Sequence, residues 1–431
     1  MSHLQQKSVK NGANRADSVL AMGKPRLAIR ILPILPALPK QFPTLWNSLP
    51  EKPMVFAPLF LLGLLSPHQA AAKPAVEMVF HDVQKMGIEG RSWTEEERLR
   101  TFDRFPKVAE KTVPPSVWGL SRDTAGMMVR FRTDSRTIRV KYRLRSPSLS
   151  MVHMPATGKS GIDLYARDDK GVWRWVMVSM PNAQDVSVDF AGVRTDDAHQ
   201  NREYALYFPL YNGVDSMEIG VPKTAKFEAL APREKPLVFY GTSITHGACA
   251  SRPGMVHTAI LGRKLDKSVL NLGFSGSGRM DPGVVDLLTR VDAAAYIIDC
   301  LPNMGPADVK ARTVPLVETL RKARPDTPII LVEDRVFTNA WANPAKLKFH
   351  QENHAALKGE FEKLQANGVK NLYYIPGDNL LGEDSEGATD ASHPNDLGFL
   401  RQADAFEPVI RQALGETTAP LAPEGNRRRR R

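Results

Sequence analysis

Cysteine is scarce in this sequence, and long apolar runs are scarcer still. The 431 residues include two cysteines, Cys249 and Cys300. Two cysteines can form one disulfide bridge in an oxidising compartment, and a pair of buried free thiols is the alternative. The apolar stretch at residues 54–65 is shorter than the ~20 residues of a transmembrane helix, and no other stretch qualifies. The sequence therefore predicts no stable insertion into a membrane.

The sequence also lacks net charge outside its two ends. The formal charge of the whole chain is +11. Residues 1–72 carry a surplus of 6 basic side chains and the arginines at 427–431 add 5, which leaves residues 73–426 neutral. A neutral body offers no broad phosphate-binding surface, and this argues against a nucleic-acid partner. Residues 416–431 are predicted to be a disordered basic tail.

The apolar stretch at residues 54–65 has the length of the hydrophobic region of a signal peptide. Lys52 precedes it, and alanines at 70–72 suit a signal-peptide cleavage site. The residues before it are rich in proline and basic side chains and show no helix or strand period, which favours Met54 over Met1 as the true start. We expect residues 1–72 to be a leader and the protein to be exported, to the periplasm or out of the cell. A buried apolar segment is the alternative.

Two kinds of secondary-structure pattern divide the rest of the chain near residue 232. Between residues 126 and 220, short runs with alternating apolar residues are separated by Gly, Asp, Asn and Pro. This spacing is typical of a β-sandwich or jelly roll, and we assign residues 73–232 to such an all-β domain. An acidic stretch at 94–100 is predicted to be helical.

After residue 232 the pattern changes to short continuous apolar runs that alternate with helical stretches. The runs start at residues 237, 269, 296, 329 and 372, and they suit strands buried on both faces. The alternation predicts a parallel sheet between two helical layers, and we assign residues 233–415 to a flavodoxin-like α/β/α domain. Ligands of such sheets bind beyond the carboxyl ends of the strands, so functional residues are expected directly after them.

Glycine-rich and polar segments follow the first three of these strands. GTSITHG at 241–247 puts Ser243 between a strand and a helix, whose N-terminal N–H groups can stabilise negative charge. NLGFSGSG at 271–278 allows backbone N–H groups to approach a ligand. DCLPNM at 299–304 adds the side-chain amide of Asn303. Taken separately, each segment is also compatible with an ordinary turn or helix cap.

DASHPND at 390–396 follows the fifth strand. An aspartate three residues before a histidine can orient the imidazole through one ring nitrogen, while the other accepts a proton from a serine. Together the four segments supply a nucleophile, a base, its orienting carboxylate and oxyanion donors at one edge of the sheet. This combination predicts acyl-transfer chemistry.

The four segments together resemble the sequence blocks of the SGNH (GDSL-like) hydrolase superfamily. The resemblance covers residues 235–414, and the letters of the name fall on Ser243, Gly276, Asn303 and His393. It implies a serine esterase with Ser243, Asp390 and His393 as its catalytic triad. It also implies an oxyanion hole formed by the N–H groups of Ser243 and Gly276 and the amide of Asn303.

The N-terminal domain carries a resemblance of its own. GIDLY at 161–165 is similar to the G-x-D-L-Y signature of a β-sandwich that precedes one bacterial branch of SGNH esterases. One position departs from the wider superfamily, because Met304 follows Asn303 where many members have aspartate. The sequence DCLPNM is similar to the corresponding segment in that same branch, and we interpret it as a subfamily feature.

The resemblance and the expected export favour a small-molecule or glycan ester as substrate, with a short acyl group such as acetyl on carbohydrate. No metal or organic cofactor is implied. Two alternatives remain open from the sequence. The same residues could transfer the acyl group to a sugar or another alcohol, or the protein could be a catalytically silent glycan-binding protein.

Two further groups of residues are interpreted as structural. His350 and His354 are four residues apart on a predicted helix, as in metal-binding helices, but no third ligand is near in sequence. We interpret them as part of a solvated helix face. Trp173 and Trp175 share one strand, and core packing is favoured over a sugar-stacking platform.

Overall fold

The computed structural model describes residues 76–193 and 201–416. The predicted leader with its signal segment at 54–65 and the arginine run of the tail lie outside the described residues. Within the part of the chain that is described, no helix has the length and hydropathy needed to cross a membrane.

The N-terminal domain is built from antiparallel strands in two sheets. One sheet has the strand order β1-β9-β4-β7, and the other has the order β10-β3-β8-β5-β6 with β2 beside β3. The strands are β1 (Met78–Asp82), β2 (Ile88–Glu89), β3 (Met128–Thr133), β4 (Thr137–Leu144), β5 (Asp163–Arg167), β6 (Trp173–Val178), β7 (Asp185–Ala191), β8 (Arg202–Tyr207), β9 (Val214–Pro222) and β10 (Phe227–Ala229).

Alternation along β4 shows why this part of the sequence forms a sandwich. Ile138, Val140 and Tyr142 are buried, whereas the basic residues between them face outwards. Successive side chains of a strand point to opposite faces, so one face enters the core and the other meets solvent. The predicted all-β domain is confirmed.

The C-terminal domain contains a parallel sheet with the strand order β12-β11-β13-β14-β15. This is the flavodoxin-like order, and the parallel sheet that the strand–helix alternation predicted is confirmed. The strands are β11 (Leu237–Gly241), β12 (Val269–Gly273), β13 (Ala295–Asp299), β14 (Ile329–Val332) and β15 (Leu372–Ile375).

Helices cover both faces of the parallel sheet, and its strands are buried as the continuous apolar runs predicted. One face packs against α5 and α9, and the other against α6, α7 and α8. The helices of the chain are α1 (Ala109–Thr112), α2 (Pro115–Leu120), α3 (Ala156–Lys159), α4 (Ser243–His246), α5 (His257–Lys264), α6 (Pro282–Leu288), α7 (Pro306–Ala323), α8 (Pro344–Ala366) and α9 (Asp396–Ala413).

The prediction of a helix at residues 94–100 is wrong, because these residues form turns. The carbonyl of Glu97 accepts a 2.7 Å hydrogen bond from the backbone N–H of Lys107, ten residues further on, and not from the residue four positions on as it would in a helix. The following segment packs against the parallel sheet. Phe105 and Trp118 join the same hydrophobic core as Val284 of α6. The buried guanidinium of Arg104 donates to the carbonyls of Asn271 and Gly273 in the last part of β12.

Candidate active site

Three neighbouring strands of the parallel sheet end at the same level. In the register of the sheet, Gly241 of β11 lies opposite Gly273 of β12 and Asp299 of β13. The segments that continue from these three positions therefore start side by side at the carboxyl edge, as the sequence predicted.

Ser243 begins the short helix α4, two residues after the end of β11. Thr242 caps the helix, and its hydroxyl accepts a 3.3 Å hydrogen bond from the N–H of Ile244. Gly247 ends the helix with a φ of +110°, a left-handed conformation that favours glycine. This turn holds the largely buried side chain of Ser243 at the sheet edge.

His393 connects Ser243 with Asp390. Its Nε2 lies 2.8 Å from the Ser243 hydroxyl oxygen, and its Nδ1 lies 2.7 Å from a carboxylate oxygen of Asp390. If Nδ1 carries the proton and donates a hydrogen bond to Asp390, the lone pair of Nε2 faces the serine hydroxyl. The imidazole is then oriented to accept the proton of that hydroxyl.

The loop around Asp390 favours its ionised form. Burial raises the pKa of this carboxyl, but hydrogen bonds from the backbone N–H and the ring of His393 outweigh it and hold the pKa below the ordinary value of 3.8. The backbone N–H of Ser392 also donates to the carboxylate. The N–H of Thr338 fixes the loop from outside by donating to the carbonyl of Ala391 at 3.0 Å. Asp390 can therefore stabilise a protonated His393.

The three expected oxyanion donors all follow strand ends at this edge. The side-chain amide of Asn303 donates to the carbonyl of Gly278 at 3.3 Å, which uses one of its two N–H bonds and orients the other. The backbone at Gly276 has a φ of +67° and borders open space, since a Cβ there would meet no atom within 4 Å. Among the described residues, the N–H groups of Ser243 and Gly276 have no hydrogen-bond acceptor.

A buried ion pair beneath this edge was missed by the sequence analysis. The carboxylate of Asp299, at the end of β13, pairs with the guanidinium of Arg335, and one of the N–O distances is 2.7 Å. Asp299 also accepts a 3.1 Å hydrogen bond from the hydroxyl of Thr245 in α4. These contacts tie the helix of Ser243 to the neighbouring strands. Asp299 opens the DCLPNM segment, so its position was visible in the sequence, but its partner was not.

The β-sandwich reaches the same edge through the aspartate of its GIDLY segment. The fully buried carboxylate of Asp163 accepts 2.8 Å hydrogen bonds from the guanidinium of Arg252 and from the N–H of Gly254. The adjacent Ser251 is held by Asp396, whose carboxylate accepts from its N–H at 2.9 Å. Asp396 begins α9, three residues after His393, so the loop between α4 and α5 links the sandwich to the histidine loop.

Both cysteines are buried free thiols, which answers the question of a disulfide that the sequence left open. Cys300 lies in the core beneath the sheet, and its thiol is 3.5 Å from the carbonyl oxygen of Tyr240. Cys249 lies close to Asp390 and His393. Burial raises the pKa of the Cys249 thiol to about 11, so it is protonated at neutral pH. A protonated thiol is a poor metal ligand, and the nitrogens of His393 already contact Ser243 and Asp390.

The interpretation of His350 and His354 as a solvated helix face is wrong. His350 is buried, and Asp334, in the segment after β14, supplies a third side chain that sequence proximity could not reveal. Nδ1 of His350 and Nε2 of His354 lie 2.6 and 2.7 Å from the two carboxylate oxygens of Asp334. Ligand atoms that share a tetrahedral zinc ion are about 3.3 Å apart. The separations are shorter than this, and the contacts are direct: Nδ1 of His350 hydrogen-bonds the carboxylate of Asp334, and Nε2 of His354 hydrogen-bonds the backbone carbonyl of Asp334 at 2.9 Å. The N–H of Phe337 donates to Nε2 of His350.

The prediction of core packing is wrong for Trp175, because its side chain is half-exposed. Its indole N–H donates to Asp163 at 2.8 Å, and the guanidinium of Arg252 lies 4.9 Å from its ring centroid. Trp173 is partly buried, with Arg167 over its ring. Two other histidines do lie in the core. His246 stacks on Tyr211, and His257 packs between phenylalanines of α9.

Two family models match the chain, and together they cover both domains. The GDSL-like lipase/acylhydrolase family matches residues 234–411, and the GxDLY N-terminus of SGNH-type esterases matches residues 78–227. A crystal structure described as a GDSL-like lipase from Bacteroides ovatus ATCC 8483 is 34% identical, with a TM-score of 0.73. The match covers 79% of this chain and 99% of that one.

The fold and the family matches define an ester hydrolase of the SGNH type. The chain belongs to the GDSL-like lipase/acylhydrolase family, as the sequence blocks predicted.

More distant structures share the fold. The salicylyl-acyltransferase SsfX3 from a tetracycline biosynthetic pathway is 19% identical over 80% of this chain and 99% of that one, with a TM-score of 0.61. A family two carbohydrate esterase from Cellvibrio japonicus is 14% identical over 79% of this chain and 98% of that one, with a TM-score of 0.50. No curated protein sequence matches the chain.

Proposed function

We propose that this esterase removes short acyl groups, in particular acetyl groups from carbohydrate, with Ser243 as its nucleophile. The observation that supports the nucleophile is the pair of short contacts made by His393, at 2.8 Å to the Ser243 hydroxyl and 2.7 Å to the Asp390 carboxylate. This arrangement provides a nucleophile, a general base and an orienting anion within hydrogen-bond reach of one another.

The proposed reaction has two acyl-transfer steps. His393 accepts the hydroxyl proton of Ser243 as the serine oxygen attacks the ester carbonyl. The resulting imidazolium, stabilised by Asp390, gives this proton to the leaving alcohol as the carbon–oxygen bond breaks. Water then attacks the acyl-enzyme, with His393 again accepting and returning a proton. The acid product leaves and the serine hydroxyl is restored.

The negative oxygen of each tetrahedral intermediate is stabilised at the sheet edge. We assign this role to the N–H groups of Ser243 and Gly276 and to the free amide N–H of Asn303. Donors that are fixed before the reaction stabilise developing charge without first reorganising, which is the basis of oxyanion-hole catalysis. Gly278 contributes by holding the amide of Asn303 in place.

A short acyl group on a polar alcohol is supported by the expected export and by the side chains near the serine. Asn303 offers a polar group at this edge, and so does His153, whose ring centroid lies 6.0 Å from that of His393. The backbone at Gly276 borders open space. These features suit a small acyl group and a hydroxylated leaving group better than a long fatty acyl chain.

Hydrolysis of p-nitrophenyl acetate and p-nitrophenyl octanoate tests this proposal. The full chain is compared with a Ser243→Ala variant, and Ser187→Ala, an exposed serine of β7, is the matched control. We expect the acetate to be turned over faster than the octanoate, and both activities to vanish only in Ser243→Ala. Equal activity in that variant and the wild type would exclude Ser243 as the nucleophile.

The same assay separates the two alternatives from hydrolysis. Product analysis in the presence of a sugar acceptor distinguishes an acyltransferase from a hydrolase. An acyltransferase would form a new ester in place of free acetate. A catalytically silent protein would turn over no ester and would keep any glycan binding in Ser243→Ala. The intact contacts among Ser243, His393 and Asp390 favour hydrolysis over a silent site.

We also propose that the protein is exported, on the strength of the apolar stretch at 54–65 and the alanines that follow it. The mass of the mature protein recovered from the producing cells tests this. A chain that begins within a few residues of 73, in the periplasmic or culture fraction, is the expected result. A cytoplasmic chain that retains residues 54–72 would contradict it.

A further inference from the structure

A turn of the β-sandwich domain lies beside the histidine of the active site. It belongs to the segment between β4 and α3. The N–H of Met151 donates to the carbonyl of Met154 at 2.9 Å, and the N–H of Met154 donates back to Met151 at 3.1 Å. These paired hydrogen bonds close a tight turn with Val152 and His153 at its tip.

The base of this turn is anchored in the other domain. Met154 is buried in the same hydrophobic core as Ile244 and Ala250, which lie in and just after the helix of Ser243. At Gly158 the chain passes so close to Ala250 that a Cβ would lie 2.2 Å from its carbonyl oxygen. The hydroxyl of Thr157 donates to the carbonyl of Ser251 at 2.6 Å. Contacts to the catalytic domain therefore fix the position of the turn.

Hydrogen bonds on the sandwich side hold the same segment. The ammonium group of Lys159 donates to the hydroxyl of Ser148 at 2.9 Å and to the carbonyl of Ser150 at 3.3 Å. The hydroxyl of Ser160 donates to the carbonyl of Leu149 at 2.9 Å. With both of its flanks held, the tip has little freedom to move relative to the active site.

His153 is placed by this turn next to His393. The two imidazole centroids are 6.0 Å apart and the ring planes are inclined by 30°. The ring of His153 is partly exposed, and it has no hydrogen-bond partner among the residues that the structure describes. An imidazole with free nitrogens, carried by an anchored turn beside the general base, is positioned to hydrogen-bond a substrate.

The position of His153 indicates which part of the ester it meets. The proposed oxyanion donors follow β11, β12 and β13, whereas His393 follows β15 and gives its proton to the leaving alcohol. A group beside His393 is therefore expected on the alcohol side of the scissile bond.

We propose that His153 is a specificity-determining residue that hydrogen-bonds a hydroxyl group of the alcohol portion of the ester. The proposal rests on the function proposed for Ser243 and His393 and defines the alcohol it selects, which is one with a hydroxyl close to the ester, as in a partly acylated sugar or polyol. His153 takes no part in the bond-making steps, since His393 already serves as base and acid.

A matched pair of acetate esters tests this role. Glycerol monoacetate and propyl acetate share the acyl group and the three-carbon chain, and differ in the hydroxyl groups of the alcohol. For the full chain we expect a higher kcat/KM with glycerol monoacetate. In His153→Ala the ratio of the two kcat/KM values should fall about three- to tenfold, the size of one neutral hydrogen bond, through KM of glycerol monoacetate.

Two further variants complete the experiment. Val152→Ala changes the fully exposed neighbour in the same turn and should leave the ratio unchanged. His153→Gln retains a hydrogen-bonding side chain and should restore part of the ratio. An unchanged ratio in His153→Ala, or an equal loss with both esters, would overturn the proposal while leaving the esterase intact. A wild-type chain inert towards both esters and p-nitrophenyl acetate would instead remove the proposed function itself.

Discussion

The carboxylate of Asp163 in the β-sandwich lies 2.8 Å from the guanidinium nitrogen of Arg252 in the catalytic domain. The carboxylate is fully buried, and the positions are separated by 89 residues in sequence. Asp163 is the aspartate of the GIDLY segment, so the contact gives that residue a physical role. It fixes the loop between α4 and α5 to the sandwich, and the same loop holds the start of α9 through Ser251 and Asp396.

Replacing Asp163 should destabilise the protein strongly. In Asp163→Ala the guanidinium of Arg252 and the N–H of Gly254 lose their acceptor in a buried setting, and we expect a loss of about 3 kcal/mol in the free energy of unfolding. Unfolding in urea measures this loss of free energy. The exposed pair of Lys223 and Glu77, 3.0 Å apart, is the control, and Glu77→Ala should cost no more than about 0.5 kcal/mol. Similar losses for both variants would show that Asp163 is not a bridge between the domains.

Asp390→Asn should lower kcat by a factor on the order of 10⁴ with little change in fold. The amide can donate to Nδ1 of His393, which favours the tautomer that places the ring proton on Nε2, towards Ser243. The control is Asp384→Asn in the same loop, because Asp384 is a carboxylate that pairs with Arg401 instead of a catalytic group. Steady-state kinetics with p-nitrophenyl acetate compares the two variants. An Asp390→Asn enzyme as active as Asp384→Asn would remove Asp390 from the mechanism.

Asn303→Ala should reduce kcat by about 10²- to 10³-fold and leave KM nearly unchanged. The reason is that the amide N–H hydrogen-bonds the ester carbonyl oxygen only after negative charge has developed on that oxygen. The amide therefore contributes little to binding of the substrate in its ground state. Kinetics with p-nitrophenyl acetate, together with the melting temperature, measure the effect. Undiminished turnover in a folded variant would show that the amide is not an oxyanion donor.

His354 should make the stability of the protein depend on pH. Burial lowers its pKa, but the hydrogen bond and charge of Asp334 and the charge of Glu333 raise it more, so that the pKa in the folded state lies above the ordinary 6.5. The contribution of His354 to the stability of the folded protein is fully present below the pKa that this histidine has in the unfolded chain. It is lost as pH rises through the higher pKa of His354 in the folded protein. The free energy lost in His354→Gln should therefore shrink as pH rises above about 6.5.

Unfolding in urea across pH 5.5 to 8.5 compares the wild type with this variant, and the difference between their curves isolates His354. A difference that stays constant over this range, or grows with pH, would contradict the assigned hydrogen bond to Asp334.

Local patterns were sufficient for most of the fold and for the residues that meet at the sheet edge. The apolar runs of the parallel sheet predicted the first residues of β14 and β15 correctly, because strands buried on both faces leave a continuous apolar signature. Errors arose where a contact from outside the segment decides its structure. The stretch at 94–100 contains good helix formers, but a backbone contact to Lys107 ends the turn.

The cluster around Asp334 illustrates the same limit. His350 and His354 are separated from Asp334 by 16 and 20 residues, and a neighbouring strand end supplies the carboxylate. The spacing of the two histidines showed that they share a helix face, but it could not show which element covers that face.

The sequence by itself determined the fold class, the family and the segments that carry Ser243, Asn303 and His393, because strand period and turn chemistry are local properties. Only the tertiary structure decided that His153 lies beside His393 and that Asp163 binds Arg252. Those contacts depend on how the sandwich packs against the catalytic domain. Such packing follows from the shapes of whole buried surfaces and leaves no periodic pattern in the chain.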